Sequence, residues 1–198
     1  MYVALHSVGH RFGRDPLLFS GLSERLSPGG IIALTGPSGS GKSTLLSLIA
    51  GWIQPDQGSI EKEGCERTHW VFQNPYGVAR RTALDHVATP LLASGHSRQS
   101  ARAHAADIME SFGLGPHANK PFAELSGGQG QRLMLCRAIA FDPDLLLVDE
   151  PTAQLDLESA SSVIETLQQL AADSRIVVIA THDARVHAVA TDAIELRP

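Results

Sequence analysis

Cysteine is scarce in this sequence, and its scarcity excludes two kinds of architecture. Cys65 and Cys136 are the only cysteines among 198 residues. Neither belongs to a Cys-x-x-Cys pair or stands near two histidines at zinc-ligand spacing, so we expect no structural zinc site. Two thiols do not build a disulfide framework either, and they suit a reducing compartment such as the cytoplasm.

Long apolar runs and an excess of basic residues are also missing. The longest apolar runs, such as Ile176–Ala180, are far shorter than the roughly 20 residues that cross a bilayer as a helix. Lysine and arginine number 16 against 21 acidic residues, giving a net charge of −5, which argues against a nucleic-acid partner. Apolar residues make up 43% of the chain, which is typical of a globular protein rather than a disordered one.

Short apolar runs that alternate with helical patterns predict an α/β fold. The runs Ile31–Leu34, Leu145–Val148 and Ile176–Ala180 are typical of strands buried on both faces of a parallel sheet. Shorter alternating segments broken by glycine and proline predict a small antiparallel patch near the N-terminus. The predicted single domain thus has a β subdomain (residues 1–30 and about 55–72), a parallel-sheet core (31–54 and about 127–198) and a helical subdomain (about 75–126).

A glycine-rich segment directly after the run Ile31–Leu34 matches a phosphate-binding motif. Residues 36–43 read GPSGSGKS and fit the pattern GxxxxGK[ST] between a predicted strand and a predicted helix. Glycines let backbone N–H groups approach a phosphate, and the following helix adds the positive end of its dipole. We expect Lys42 to reach the β- and γ-phosphates and Ser43 to bind Mg²⁺. The predicted nucleotide-binding residues are Gly36, Pro37, Ser38, Gly39, Ser40, Gly41, Lys42, Ser43 and Thr44.

Two acidic residues follow the buried run Leu145–Val148. Asp149 and Glu150 stand at the carboxyl end of the predicted strand, where open α/β sheets bind their ligands. Beside a phosphate loop, Asp149 is expected to hold Mg²⁺ and Glu150 to polarise the water that attacks the γ-phosphate. The alternative is that both acids only cap the turn that follows.

A second turn suited to an anion precedes another predicted helix. The segment Leu125–Gln129 reads LSGGQ, in which Ser126 is a favourable N-cap and two glycines expose backbone N–H groups. By itself this pattern is a weak signal, and a simple capping turn is its ordinary interpretation.

In combination, these segments occur in the order found in ABC-type ATPases, and the chain resembles that family over nearly its whole length. The pentapeptide LSGGQ is the signature of the family. The resemblance implies an α/β fold, a P-loop NTPase of ABC type with a RecA-like parallel-sheet core, an N-terminal antiparallel β subdomain and an inserted helical subdomain. It also implies an ATP hydrolase with ATP and Mg²⁺ as its ligands.

The resemblance assigns roles to four further residues. Phe12 stands where family members place an aromatic ring that stacks on adenine, although core packing is an alternative. Gln73 resembles the Q-loop glutamine, which senses Mg²⁺ and faces the membrane partner. Asp156 resembles the D-loop aspartate that communicates across a dimer, and His182 the switch histidine that contacts the γ-phosphate. The implied catalytic set is Glu150, His182, Lys42 and Gln73, and the implied metal set is Ser43, Gln73 and Asp149.

The resemblance also implies partners. One ATP molecule cannot obviously use both the phosphate loop and the LSGGQ turn of the same chain. Both sites are used if two copies pair head to tail, as a homodimer or with a related ATPase. Ser126, Gly127, Gly128 and Gln129 of one copy, with Asp156, then close over the nucleotide of the other. A separate membrane permease is implied to dock near Gln73 and the helical subdomain, which places the chain in the cytoplasm, peripheral on the inner face of the membrane.

The helical region from Thr82 onward resembles the macrolide-exporter and lipoprotein-releasing ATPases, which implies export or extraction of a peptide, lipoprotein or drug. A cell-division ATPase, an importer ATPase and a soluble ABC ATPase remain alternatives. The chain departs from the family pattern at Gly130, where Gln or Glu is usual, and at Gln154, where Asn is common. The segment between Lys42 and Gln73 is short for the subgroup, and Gly130 is expected to loosen the start of its helix.

Overall fold

The computed structural model of the chain describes residues 1–153, 155–172 and 175–196, so Gln154 lies outside the described residues. In chain order its strands and helices are β1 (Tyr2–His10), β2 (Phe19–Leu26), β3 (Gly30–Thr35), α1 (Lys42–Ala50), β4 (Gln57–Glu63), β5 (Thr68–Val71), α2 (Ala83–Ala93), α3 (Arg98–Ser111), α4 (Gly127–Phe141), β6 (Leu145–Asp149), α5 (Leu157–Ala172), β7 (Ile176–Ala180), α6 (Ala184–Val189) and β8 (Asp192–Glu195). None of the described helices has the length and apolar character needed to cross a membrane.

The predicted parallel sheet is present. Its strands lie in the order β5-β6-β7-β3-β8, and the pairs β6/β7, β7/β3 and β3/β8 are parallel. Every residue of β6 and β7 is buried, as expected for strands of Leu, Ile and Val that are covered on both faces. Because β3, β6 and β7 run the same way, the residues that follow them meet at one edge of the sheet.

A second sheet holds the N-terminal strands in the antiparallel order β2-β1-β4. The antiparallel patch predicted from the first 30 residues is therefore confirmed, and β4 extends it. The expectation that strands as far as residue 72 join this patch is wrong for β5, which lies beside β6 in the other sheet. Arg67 explains the difference, because its backbone pairs with Asp144 just before both strands begin.

The chain contacts divide the molecule into two units, and the helical unit comprises residues 71–143 and 151–166. In it, α2 packs against α3, and both pack against α4. This grouping differs from the prediction that residues from 127 onward belong to the parallel-sheet core. α4 buries Leu133, Met134 and Cys136, and the helix packs against the other two helices of its own unit. Burial raises the pKa of the Cys136 thiol, which keeps this cysteine uncharged.

The pairing of β1 with β4 depends on one glycine. Between the pairs His6↔Ser59 and Gly9↔Gln57 the register shifts, and Gly58 lies at this bulge with φ 74°. A Cβ at Gly58 would overlap the backbone carbonyls of His6 and Ser7. Gly21 in β2 also has positive φ, 68°, but has open space around its Cα.

We predict that Gly58→Ala lowers the free energy of unfolding by roughly 3 kcal/mol, because it adds a backbone clash to the cost of a positive φ. Gly21→Ala is the matched control and should cost only about 1 kcal/mol, since it adds the φ cost alone. Urea unfolding of both variants measures the difference. Equal losses would show that the close approach at Gly58 does not matter.

Candidate nucleotide-binding and catalytic site

The glycine-rich loop joins β3 to α1 and takes a conformation that favours glycine. Gly36, Gly39 and Gly41 have φ of 140°, 81° and 94°. A Cβ at Gly36 would lie 2.5 Å from the carbonyl oxygen of Leu196, and one at Gly41 would lie 2.9 Å from the ring of Phe19. The loop therefore packs closely against β2 and against the segment after β8. These contacts leave no room for a side chain at Gly36 or Gly41.

Lys42 places a cation inside this loop. The residue is only 8% exposed, and its Nζ donates hydrogen bonds to the carbonyl oxygens of Gly36 at 2.9 Å and Pro37 at 3.2 Å. The Nε2 of His182 lies 2.9 Å from the same Nζ. Two carbonyls and an imidazole supply no negative charge, and a buried cation is costly without a counter-ion. The loop thus fits an anionic ligand.

Ser43 and Asp149 supply oxygen atoms next to the lysine. The Ser43 hydroxyl donates a hydrogen bond of 2.7 Å to Oδ2 of Asp149, the last residue of β6. Hydroxyl and carboxylate oxygens suit Mg²⁺, which keeps its remaining positions for water and phosphate oxygens. The described ranges contain no cluster of three or more His, Cys, Asp or Glu residues that could hold a metal ion alone. Two protein oxygens side by side fit an ion that takes its other ligands from phosphate and water.

Glu150 follows β6 and takes a left-handed backbone conformation, with φ 47°. Its Oε2 accepts hydrogen bonds from the Thr181 hydroxyl and the His182 backbone N–H, both at 3.3 Å. Its Oε1 lies 3.5 Å from Nε2 of His182. The carboxylates of Asp149 and Glu150 thus turn towards α1 and the end of β7, which is not what capping of the following turn requires.

The structure brings the predicted residues Lys42, Ser43, Asp149, Glu150 and His182 together at this edge of the sheet. Thr181, which holds the Glu150 carboxylate, was missed by sequence reasoning. The signal for it was its place directly before His182 at the end of an apolar strand.

Phe12 lies in the turn between β1 and β2, and it is 55% exposed. Its ring stands edge-on to the ring of His10, with centroids 5.1 Å apart and planes at 89°. An exposed ring fits a stacking surface, whereas core packing, the alternative, would bury it. Stacking on a base stays a prediction.

Gln73 and Asp156 both belong to the helical unit. Gln73 is exposed just beyond β5. The carboxylate of Asp156 accepts hydrogen bonds from the backbone N–H and the hydroxyl of Ser159, both at 2.9 Å. These bonds lower the pKa of Asp156, which keeps the carboxylate charged at the start of α5. The roles implied for Gln73 and Asp156 stay predictions.

The LSGGQ turn forms a capping box at the start of α4. The Gln129 N–H donates to the Ser126 hydroxyl at 3.3 Å, and the Ser126 N–H donates to Oε1 of Gln129 at 3.1 Å. Nε2 of Gln129 in turn lies 3.1 Å from Nε2 of His117. With both side chains held, Gly127 and Gly128 form the first turn of the helix, where backbone N–H groups lack helical partners.

The sequence predicts only that Gly130 loosens the start of α4, but packing explains why glycine fits at this position. It is buried, and a Cβ at this position would lie 3.0 Å from Cβ of Pro75. The missing side chain therefore lets Pro75 lie directly against α4, and the capping box compensates for the low helix propensity of glycine.

Comparison with known proteins gives a consistent result. Residues 19–153 match the family model described as ABC transporter. The chain is 40% identical to an uncharacterized ABC transporter ATP-binding protein of Mycobacterium tuberculosis, over 90% of this chain and 58% of that protein. It is 38% identical to the lipoprotein-releasing system ATP-binding protein LolD 2 of Caulobacter vibrioides, over 85% of this chain and 81% of that protein. A macrolide export ATP-binding/permease protein, MacB 1/2 of Paracoccus denitrificans, is 36% identical over 86% of this chain and 28% of its own length.

Solved structures agree on the fold. The ATP-binding cassette MJ0796, in a dimeric post-hydrolysis state bound to ADP and Pi, matches with a TM-score of 0.87 and 27% identity, over 98% of this chain and 94% of that one. A putative metal-chelate type ABC transporter in an inward-facing conformation matches with a TM-score of 0.84 and 31% identity, over 98% of this chain and 79% of that one. The predicted fold class is therefore confirmed. The chain spans 58% to 59% of the length of its mycobacterial relatives.

The stability of the phosphate loop can be tested at Ser40 without a bound ligand. The residue is 4% exposed, and its hydroxyl is buried without a hydrogen-bond partner. We predict that Ser40→Ala raises the free energy of unfolding of the nucleotide-free protein by about 1 kcal/mol, because an unpaired buried hydroxyl is removed.

Ser47→Ala is the control, since the Ser47 hydroxyl donates a 2.9 Å hydrogen bond to the Ser43 carbonyl and its loss should bring no gain. Chemical denaturation of both variants measures the two changes. A loss of stability in Ser40→Ala would mean that its hydroxyl is paired.

Proposed function

This chain belongs to the ABC transporter family, and we propose that it binds and hydrolyses ATP as the motor of a membrane transporter. The observation that carries the proposal is the buried ammonium of Lys42, held among neutral acceptors beside the Ser43–Asp149 pair. A triphosphate supplies the anionic oxygens that the direct contacts of the ammonium lack.

In the proposed complex, the loop receives the phosphates of ATP through its backbone N–H groups and the N-terminus of α1. Lys42 exchanges its contacts with the loop carbonyls for phosphate oxygens. Ser43 and Asp149 would hold Mg²⁺, and the ion would supply positive charge to the β- and γ-phosphates. Phe12 stacks its exposed ring on the adenine base.

Glu150 is the proposed general base. Its carboxylate accepts hydrogen bonds from Thr181 and from the backbone of His182, so the side chain is held in place before a substrate arrives. From this position it accepts a proton from the water that attacks the γ-phosphate. The imidazole of His182, which contacts Lys42 in this structure, turns to the γ-phosphate instead.

We further propose that two copies pair head to tail around two ATP molecules. Ser126, Gly127, Gly128 and Gln129 of one copy then face the γ-phosphate held by the other, and Asp156 communicates between the copies. The capping box supports this proposal, because it presents the N–H groups of an intact helix N-terminus to an anion. The solved cassette bound to ADP and Pi is itself dimeric.

A membrane permease is the proposed partner of the helical unit, on the cytoplasmic face of the membrane. Tyr76 and Val78 follow Gln73 closely in sequence and are 45% and 60% exposed. Exposed apolar side chains beside a polar residue fit a protein contact. The relatives named as lipoprotein-releasing and macrolide-export proteins favour export or extraction as the transport process.

We predict that Glu150→Gln lowers kcat at least a hundredfold while the Kd for ATP changes less than about twofold, because only the proton acceptor is lost. Phosphate release gives kcat, titration calorimetry gives Kd, and size-exclusion chromatography with ATP should show a trapped dimer. Glu165→Gln, which changes an exposed residue of α5, is the matched control. Turnover at the wild-type rate in Glu150→Gln would show that another group is the base.

Lys42→Ala should raise the Kd for ATP by roughly ten- to a hundredfold, because hydrogen bonds to a charged phosphate are lost. Lys62→Ala, which removes a lysine of β4 outside the loop, is the control and should bind ATP as the wild type does. Calorimetric titration with Mg²⁺ and ATP measures both constants. An unchanged Kd in Lys42→Ala would contradict the phosphate site.

A further inference from the structure

We propose that Asp56 is a positioning residue for Phe12, acting on the turn between β1 and β2 and on the ring of His10. Asp56 thereby raises the affinity for nucleoside triphosphates and not the affinity for inorganic triphosphate, which has no base. The inference rests on the proposed function, in which Phe12 stacks on the base of ATP.

One carboxylate oxygen of Asp56 contacts two consecutive residues. Oδ2 of Asp56 accepts a 2.9 Å hydrogen bond from the backbone N–H of Arg11, and the same oxygen lies 2.9 Å from Nδ1 of His10. Asp56 stands directly before β4, and His10 is the last residue of β1. The contact therefore extends the β1/β4 pairing one step past its last pair, Gly9↔Gln57, into the turn.

His10 passes this restraint on to Phe12. His10 is 8% exposed, so neighbouring atoms surround its ring, and the Asp56 carboxylate lies against the Nδ1 edge of that ring. Phe12 meets this ring edge-on and leaves the rest of its own surface open. Rings in this arrangement attract one another through their quadrupoles, so a fixed His10 favours one orientation of Phe12.

The turn is closed at its base as well. The Leu18 N–H donates to the His10 carbonyl at 2.9 Å, and the Asp15 N–H donates to the Phe12 carbonyl at 3.1 Å. Beyond the turn, β2 begins at Phe19, whose ring lies against Gly41 of the phosphate loop. The short segment from Phe12 to Phe19 thus connects the stacking ring to the loop that receives the phosphates.

A ring held in its binding orientation loses less freedom when a base stacks on it, so affinity rises without any added contact. Stacking uses the flat face of a base and does not read its hydrogen-bonding edge. Asp56 should therefore affect purine nucleoside triphosphates in general and should not affect inorganic triphosphate, which has no base.

The test compares ATP with inorganic triphosphate on the full chain, by calorimetry in the presence of Mg²⁺. We expect Asp56→Ala to raise the Kd for ATP roughly three- to tenfold and to leave the Kd for triphosphate within about twofold. Asp56→Asn retains an oxygen acceptor for the Arg11 N–H, so its Kd for ATP should lie between those of Asp56→Ala and the wild type. It also serves as the test variant if Asp56→Ala does not fold.

Glu61→Ala is the matched control, because Glu61 in β4 faces His6 of β1 at 3.7 Å, as Asp56 faces His10, but away from the turn. It should bind both ligands as the wild type does. Phe12→Ala is the reference for complete loss of stacking, and its effect on ATP should be at least as large as that of Asp56→Ala.

Each remaining outcome overturns a stated part of the proposal. Equal weakening of ATP and triphosphate by Asp56→Ala would mean damage to the phosphate loop and would overturn the positioning role. Unchanged ATP binding in Asp56→Ala, with weakened binding in Phe12→Ala, would overturn the inference and leave the proposed function intact. Unchanged ATP binding in Phe12→Ala would remove stacking itself, whereas the phosphate site is judged separately by Lys42→Ala.

Discussion

The buried ammonium of Lys42 is the interaction on which the rest of this site depends. The Lys42 ammonium contacts two loop carbonyls and the His182 ring, which accept its hydrogen bonds. None of these direct acceptors is an anion, so the hydrogen bonds solvate the charge without pairing it with a counter-ion. Glu150 and His182 follow the neighbouring strands β6 and β7 and lie close to this positive charge. An anion that enters the loop therefore meets an arrangement built before it arrives, which is how preorganised electrostatics lower barriers.

Much of this arrangement could be predicted from the sequence because local chemistry decides it. Strands rich in Leu, Ile and Val with no polar alternation must be covered on both faces, which indicates a parallel sheet. Such a sheet sends its carboxyl ends to one edge, so Asp149 and His182 had to lie near the loop that follows β3. The glycines of the loop were equally informative, because Gly36 and Gly41 occupy conformations and spaces that a side chain would not fit.

Other features could not be predicted because contacts between distant residues decide them. β5 is four residues long, and its place beside β6 follows from the pairing of Arg67 with Asp144, 77 residues apart. The grouping of α4 with α2 and α3 depends on which of its apolar sides finds a partner, and its sequence is apolar on more than one side. The role of Asp56 could not be predicted either, because only the fold brings it to His10 and Arg11.

The close approach of Gly130 to Pro75 has a consequence for how this sequence can change. A larger residue at position 130 requires that Pro75 give way first, because the added Cβ would lie 3.0 Å from its ring. A larger residue at position 75 meets the same helix from the other side. The effects of substitutions at positions 130 and 75 are therefore expected to be coupled, because each residue limits the space that the other can occupy.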